Sequence, residues 1–252
     1  MRWFLLALAS ALPLLAAETK QGPPTAAGGL AQSSAAAVLT KLFPAITGFT
    51  AQAEMRVLDK AGREQMRTPM QYAWRAGAVR MDVDLAQIQS AQTNQKPQML
   101  AGLRQMGMDR QASIMLPTRA RLLMVYSALQ GYADLPLPKQ DAAILAEAFR
   151  IERAEIGREK VAGRDCVKQR VTLRGGSSRT VVATVWLAPD LEQLPVRVEI
   201  EEGAQVVAFQ FSNVKLAAPD ESFFAPPAGY TRYAMMSELV EAAARRARLQ
   251  KK

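Results

Sequence analysis

The chain has 252 residues, 49% of them hydrophobic and 22% charged, an ordinary globular composition with enough length for one good-sized core or two small ones. It contains no histidine and a single cysteine, which excludes Ser-His-Asp and Cys-His hydrolysis, histidine-ligated metals, cysteine zinc sites and iron–sulfur clusters. The net charge is +9, and arginines are spread singly through the predicted strands, as at Arg56, Arg67 and Arg80. No basic stripe interleaves with aromatics, so nucleic acid is not expected as a partner and an anionic membrane surface fits better.

The opening "MRWFLLALASALPLLAAETK" places Arg2 before an apolar run from Trp3 to Leu15, then the small residues Ala16 and Ala17. That run is shorter than the ~20 residues a membrane-crossing helix needs, and it reads as a signal peptide over 1–17. The Pro/Gly/Ala-rich stretch 18–29 reads as a flexible leader, followed by one domain over 30–234 and a basic helix over 235–252. The mature product is expected to be periplasmic or secreted, soluble and monomeric. Its one cysteine, Cys166, is expected to be buried in a strand without a disulfide partner.

From Gln32 to Phe43 the spacing predicts a helix with Val38, Leu39 and Leu42 on one face, stopped by Pro44. The period then changes to two. Ala53, Met55 and Val57 alternate with polar residues, "DKAGRE" supplies a hairpin, and the returning strand carries Met66, Met70, Tyr72 and Trp74 on one face. Pro69 within it marks a bulge or an edge. After "RAG", Val79, Met81, Val83 and Leu85 alternate with Arg80, Asp82 and Asp84. The two aspartates share the side that carries Arg80, so they are expected to face water and not to form an acid/base pair.

Residues 86–98 are Gln-rich and without pattern, and 97–107 predicts a short helix presenting Met99, Leu103 and Met106. "QASIML" and "ARLLMVYS" predict two more strands. A second amphipathic helix is expected over 141–151, with Ile144, Leu145 and Phe149 on its apolar face. Hairpins fill the remainder, turning at Ala162-Gly163 and at Glu202-Gly203, with inward alternation at Val196, Val198 and Ile200. The fold class expected is mainly β: a curved, unclosed antiparallel sheet of about 9–11 strands by the spacing of turn signals, with helical lids and a C-terminal helix.

Methionine is the composition's unusual feature. Of 12, six fall on predicted apolar faces: Met55, Met66, Met70, Met81, Met99 and Met106. Methionine is flexible and polarizable, and it serves both as core filler and as the lining of surfaces that accept varied apolar partners. The second use makes Met55, Val57, Met66, Met70, Tyr72, Trp74, Met81 and Val83 the candidate lining of a lipid-binding cavity, with Met99, Leu103, Met106, Ile144, Leu145 and Phe149 on lids. No constellation of catalytic residues and no cofactor fingerprint is present, so no enzyme, cofactor or metal is expected.

Two segments resemble LolA- and LolB-like periplasmic lipoprotein carriers. One is "LTKLFPAITGFTAQAEMRVLDKAGRE", a short helix, a Gly-Phe pair and the first hairpin. The other is "LPVRVEIEEGA" followed by "FQFSNVKLAAPDESFFAPPAGYTRY", with an Asn-Val pair, a "PDESFF" turn and a Phe-x-x-Pro-x-Gly-Tyr exit. The similarity runs in order from about 37 to 233. It implies an unclosed antiparallel barrel with a helical lid, binding acyl chains or lipoproteins on its concave side. The long Gln-rich stretch at 86–109 and the basic C-terminal helix depart from the family pattern. A sensor or protein-interaction module of the same fold, with a closed core, is the alternative. The end of the chain, with Arg245, Arg246, Arg248, Lys251 and Lys252, suits either an anionic membrane surface or a helix dipole.

Overall fold

The computed structural model describes residues 34–43, 46–91, 96–176 and 179–249. The expected signal peptide and leader, Pro44, Lys251 and Lys252 lie outside the described residues.

The chain enters through helix α1 (Ala35–Thr40) and crosses a first hairpin, β1 (Gly48–Asp59) and β2 (Glu64–Arg75). A two-residue turn at Ala76-Gly77, both with positive φ (46° and 88°), leads into β3 (Ala78–Asp84). Such turns match the right-handed twist of paired strands, and glycine at the second position accepts the conformation without strain. Strand β4 (Gln89–Ser90) and helix α2 (Lys96–Gln105) follow, then β5 (Arg110–Leu116), β6 (Arg121–Tyr126) and β7 (Gly131–Pro136). Helix α3 (Lys139–Ala146) precedes the long meander β8 (Phe149–Val161), β9 (Arg164–Gly175), β10 (Thr180–Ala188), β11 (Leu194–Glu202) and β12 (Gln205–Lys215). The short β13 (Thr231–Tyr233) and helix α4 (Met236–Leu249) close the described chain.

All 13 strands belong to one sheet, ordered β13-β7-β6-β5-β3-β2-β1-β12-β11-β10-β9-β8, with β4 paired to β2. Neighbours are antiparallel except β13 and β7, and the order does not close on itself. The architecture is the expected mainly-β open sheet with helices on it. The strand count exceeds 9–11 through the two-residue β4 and the three-residue β13, whose sequences are too short to show a period.

Pro69 illustrates how sequence meets topology. On one side it pairs with Glu54 of β1; on the other, β2 pairs with β4 only at Met66–Arg67 and with β3 only from Met70 onward. Proline therefore occupies a local edge, where its missing N–H costs no ladder bond.

Two expectations need correction. The helix over 141–151 is instead a helix that ends at Ala146 and a strand that begins at Phe149, so Phe149 sits on β8. In "FRIERAEI" Phe149 and Ile151 are two apart, as on a strand face, while Phe149 also lies four after Leu145, as on a helix face. Pairing along the whole of β9 selects the strand. Val196 also departs from its alternation. An extra residue on β11 opposite Trp186–Leu187 turns Val196 to the other face, where it packs with Trp186 and Cys166 while Val198 and Ile200 stay in the main core.

The main core lies on one face, here the inner face. It unites Phe49, Met55, Tyr72, Met81, Val171, Leu173, Ile200, Phe209 and Phe211, from strands spread across most of the sheet. Ala35, Ala37, Val38 and Leu39 of α1 are at most 2% exposed and fill that face. Helix α1 packs on α3 and β11, α2 adds Leu100 and Leu103, and α4 lays Leu239 and Ala243 over Met124, Tyr126 and Ala133. Each fully buried Leu, Ile or Phe contributes roughly 1.5–3 kcal/mol, so this face is the main source of stability.

Candidate lipid-binding interior

The strand register lays the inner wall out in rows. One row runs Ala51, Tyr72, Met81, Ser113, Met124, Ala133, and the next runs Phe211, Ala53, Met70, Val83, Gln111. A third begins with Phe49, Trp74, Val79 and Met115. Of the eight expected lining residues, Met55, Met70, Tyr72, Trp74, Met81 and Val83 are brought together here, each 7% exposed or less. Val57 and Met66 are half-buried against the same cluster at the hairpin end.

An aromatic group anchors the wall beneath α1. Phe49 stacks on Tyr72 at 5.6 Å between ring centroids, and Phe211 meets Phe49 and Tyr72 edge-on at 5.7 and 5.1 Å. Phe43, just past α1, adds edge contacts to Phe49, Trp74 and Phe211. Offset and edge-on pairs of this kind contribute about 0.5–1.5 kcal/mol each beyond burial. Tyr126 donates its hydroxyl hydrogen bond to Gln111 Oε1 at 3.0 Å, and burial pushes its phenol up to about 12. Burial drives the Tyr72 phenol still further upward.

The lids divide. Ile144 is 2% exposed and enters the main core from α3, with Leu145 and Phe149 packed beside it. Leu103 of α2 touches both the main core and the cluster under α4, Met106 touches only the latter, and Met99 is half-buried. Lys41 clasps the exit of α3: its Nζ donates to the carbonyls of Leu145 at 2.7 Å and Glu147 at 3.2 Å. Partial burial lowers the Lys41 pKa, against the opposing charge of Glu147. At the other end of α3, burial and the nearby Glu202 raise the Asp141 carboxyl to about 6.

Three concavities matter. A cleft of about 230 Å³ at the inner rim lies between Leu42, Phe43 and Ile46 on one side and Leu187, Leu194 and Pro195 on the other. A cavity of about 380 Å³ separates α1 and α3 from the β11–β12 hairpin, with Val38, Ile144 and Ile200 in its wall. The third, about 830 Å³, lies on the opposite polar face and includes Gln52, Glu54, Gln71, Asp82, Asp84 and Gln210. Of the expected lining set it touches only Met70 and Val83. Asp82 is held by Arg80, and Asp84 by Arg110 at 3.4 Å, so the two aspartates belong to ion pairs on an open polar face, as their shared side with Arg80 predicts.

Sequence reading missed Met108, Met115 and Met124, which are all buried. It also missed the segment after β12. Phe224 covers Ala73, Ala112, Ile114, Leu123 and Val125 on the polar side of the sheet. The continuous apolar runs "ASIML" and "LLMVY" carried that signal, since a strand covered on both faces loses its alternation. Cys166 is free and buried, with Trp186 and Val161 around it. Among the described residues no group of three His, Cys, Asp or Glu is placed to hold a metal, and no helix is long and apolar enough to cross a membrane.

No family model matches the chain, and no curated protein matches it. Solved structures do. The chain is similar to the lipoprotein LppX of Mycobacterium tuberculosis, at 12% identity and a TM-score of 0.38, over 74% of this chain and 96% of that one. It is similar to MucB in complex with MucA(peri), at 19% identity and a TM-score of 0.32, over 72% of this chain and 54% of that one. It is also similar to the LolA superfamily protein NE2245 of Nitrosomonas europaea, at 11% identity and a TM-score of 0.36, over 76% of this chain and 96% of that one.

Proposed function

We propose that this chain is an exported, periplasmic lipid- or lipoprotein-binding protein that shields or carries acyl chains on the inner face of its open sheet, without covalent chemistry. The observation that carries the reading is the cover of that face. Among the described residues, a wall with Phe49, Tyr72, Met81, Val198 and Phe209 in one cluster is roofed by helices of 6, 10 and 8 residues and not by a second sheet. Helices under ~12 residues have little stability of their own, so their position depends on the apolar contacts they make. Displacing Val38, Leu39, Leu42 and Ile144 costs about 6–12 kcal/mol, while a 16-carbon chain offers about 12 kcal/mol at ~0.8 per CH₂. The two quantities are close, which suits exchange of cargo. The apolar rim cleft beside Leu42 and Phe43 supplies an entry point.

Titration of the mature chain with an acyl-chain fluorophore tests this. Saturable binding at micromolar probe is expected, and no binding at that concentration contradicts the reading.

A second reading draws on the tight burial of Met55, Met70 and Met81, each 7% exposed or less. In that case the interior is a closed core, and the protein is a periplasmic sensor or interaction module. Met81→Asp separates the two: a closed core unfolds, whereas a wall that accepts ligand keeps its fold and loses the fluorophore.

The last helix adds a partner. Arg245, Arg246 and Arg248 lie near its end, next to Leu249, which is 74% exposed, and the sequence continues with Lys251 and Lys252. Cations around an exposed apolar side chain fit an anionic membrane surface.

A further inference from the structure

The inner wall carries polar atoms that a purely hydrocarbon site does not need. Thr68, Tyr72, Trp74 and Gln111 are 0, 2, 6 and 3% exposed. Thr68 Oγ1, Tyr72 Oη, Trp74 Nε1 and Gln111 Nε2 are buried and have no hydrogen-bond partner. Neighbouring polar groups are not so left: Tyr126 bonds Gln111 Oε1, and the Ser113 hydroxyl donates to the Met124 sulfur at 3.4 Å. The four atoms are distributed in an orderly way. Thr68, Tyr72 and Trp74 stand on the same side of β2 at i, i+4 and i+6, and Gln111 lies in the row of Met70 through Val83. A phenylalanine, valine or leucine at each position would fill the space without stranding a polar group, and stranding one is among the more destabilising things a core can do.

Donation is the one role all four groups share. The indole N–H and the amide NH₂ can only donate, and both hydroxyls can donate. The complementary ligand therefore brings acceptors. Thr68, Gln111 and Ser113 are the buried polar or charged residues among those described. A guanidinium nitrogen, Arg179 Nη1, is also buried without a partner, but it lines the cavity under α1 and α3 with Glu201 and Glu202. It lies just before β10, four strands along the sheet from β2, so no buried cation stands beside these four atoms to neutralise a carboxylate. An acceptor without charge, attached to a long apolar chain, is the carbonyl of an ester or amide.

We propose that Thr68, Tyr72, Trp74 and Gln111 form a carbonyl-reading track on the inner wall, which selects neutral acyl esters or amides over a free fatty acid or a plain hydrocarbon of equal length. This inference rests on the reading of the interior as an acyl-chain site and adds the polar part of the ligand. The tail fills the space the lid helices vacate, and each carbonyl accepts a hydrogen bond that the empty protein leaves unmade. Because those bonds form away from water, each contributes more than it would on the surface. The donors would accept an ionised carboxylate as well, but its burial without a countercharge beside them costs more than those bonds return.

The experiment is a competition. The mature chain is loaded with an acyl fluorophore, and methyl palmitate, palmitate and hexadecane are compared as displacers. Methyl palmitate is expected to displace about tenfold better than hexadecane, the worth of one well-placed hydrogen bond, with palmitate no better than the alkane. Tyr72→Phe and Gln111→Leu should each lower the ester-to-alkane ratio several-fold while leaving hexadecane displacement unchanged. Ligand-free Tyr72→Phe should melt no lower than the parent, since it loses only an unpaired hydroxyl. Equal displacement by ester and alkane, or a ratio that survives in both variants, overturns the track and leaves the acyl-chain reading standing. A fluorophore that never binds overturns the acyl-chain reading and the track with it.

Discussion

The Arg80 guanidinium grips Asp82 through two hydrogen bonds of 2.8 Å, Nε to Oδ2 and Nη2 to Oδ1, and its remaining nitrogen donates to the Phe223 carbonyl at 2.8 Å. It also lies 4.5 Å from the centre of the Phe223 ring. Asp82 thus serves to orient the arginine that ties the segment 221–224 to the sheet, beside the place where Phe224 is buried. Arg80→Met keeps the apolar stem and removes the grip. A loss of about 1–3 kcal/mol is expected, read from the denaturant midpoint, together with faster proteolysis near Phe223. An unchanged midpoint would mean the segment is held by Phe224 alone.

Gly48 begins β1, where the chain passes close to another part of itself. A Cβ at this position would stand 2.8 Å from both Ala218 Cα and the Trp74 carbonyl oxygen. Both are backbone atoms, so neither can rotate away. Gly48→Ala should destabilise by about 1–3 kcal/mol through overpacking, measured by thermal melting. The Gly-Phe pair named in the sequence resemblance acquires a reason here: Gly48 permits the close approach, and Phe49 at 0% exposure opens the core.

Asp141 predicts a pH dependence with a definite sign. Burial and Glu202 raise its folded value from 3.8 to about 6, so the folded state favours the protonated form. Its contribution is fully present below pH ~4 and is lost as pH rises through about 6. Asp59, Asp134 and Glu159 are shifted downward by their partners, so their contributions are lost in the opposite direction, on acidification. Comparing Asp141→Asn with the parent isolates the one group. The variant should gain stability relative to the parent between pH 4 and 7 and plateau above. A constant difference across that window contradicts the assignment.

The alternating strands were the most legible part of the chain, because β1, β2 and β3 each have one polar and one apolar face. Met55, Tyr72, Trp74 and Met81 could be placed on a common wall from that period alone. Strands β5 and β6 were legible as strands but not as two-faced. Phe224 and α4 cover their opposite sides, and the residues that do so lie about 100 positions downstream. The change from α3 to β8 was hidden because Phe149 continues the helical spacing from Leu145 and the charged run after Ile151 shows no period of two until β9 pairs with it. The orphaned donors at Thr68, Tyr72, Trp74 and Gln111 were beyond reach for a related reason. Sequence tells which side a residue faces, but not which atoms remain without a partner.

The end of α4 yields a test at the membrane. Arg246 donates to the Ala128 carbonyl at 2.9 Å, while Arg245 is only loosely paired with Glu241 at 3.7 Å, and Leu249 is exposed. Co-sedimentation with vesicles containing anionic lipid should exceed that with neutral vesicles and weaken as salt is raised. Replacing Arg245, Arg248, Lys251 and Lys252 with glutamine should remove the difference. If the quadruple variant sediments like the parent, the basic residues serve only the helix dipole.

Photo-crosslinking with a palmitoyl probe that carries its reactive group along the chain tests the central claim most directly. Peptide mapping should place adducts on inner-wall segments that contain Met55, Met70, Tyr72 or Met81, and on α1 or α3 above them. Adducts confined to the polar face around Gln52, Gln71 and Gln210, or none at all, would contradict it.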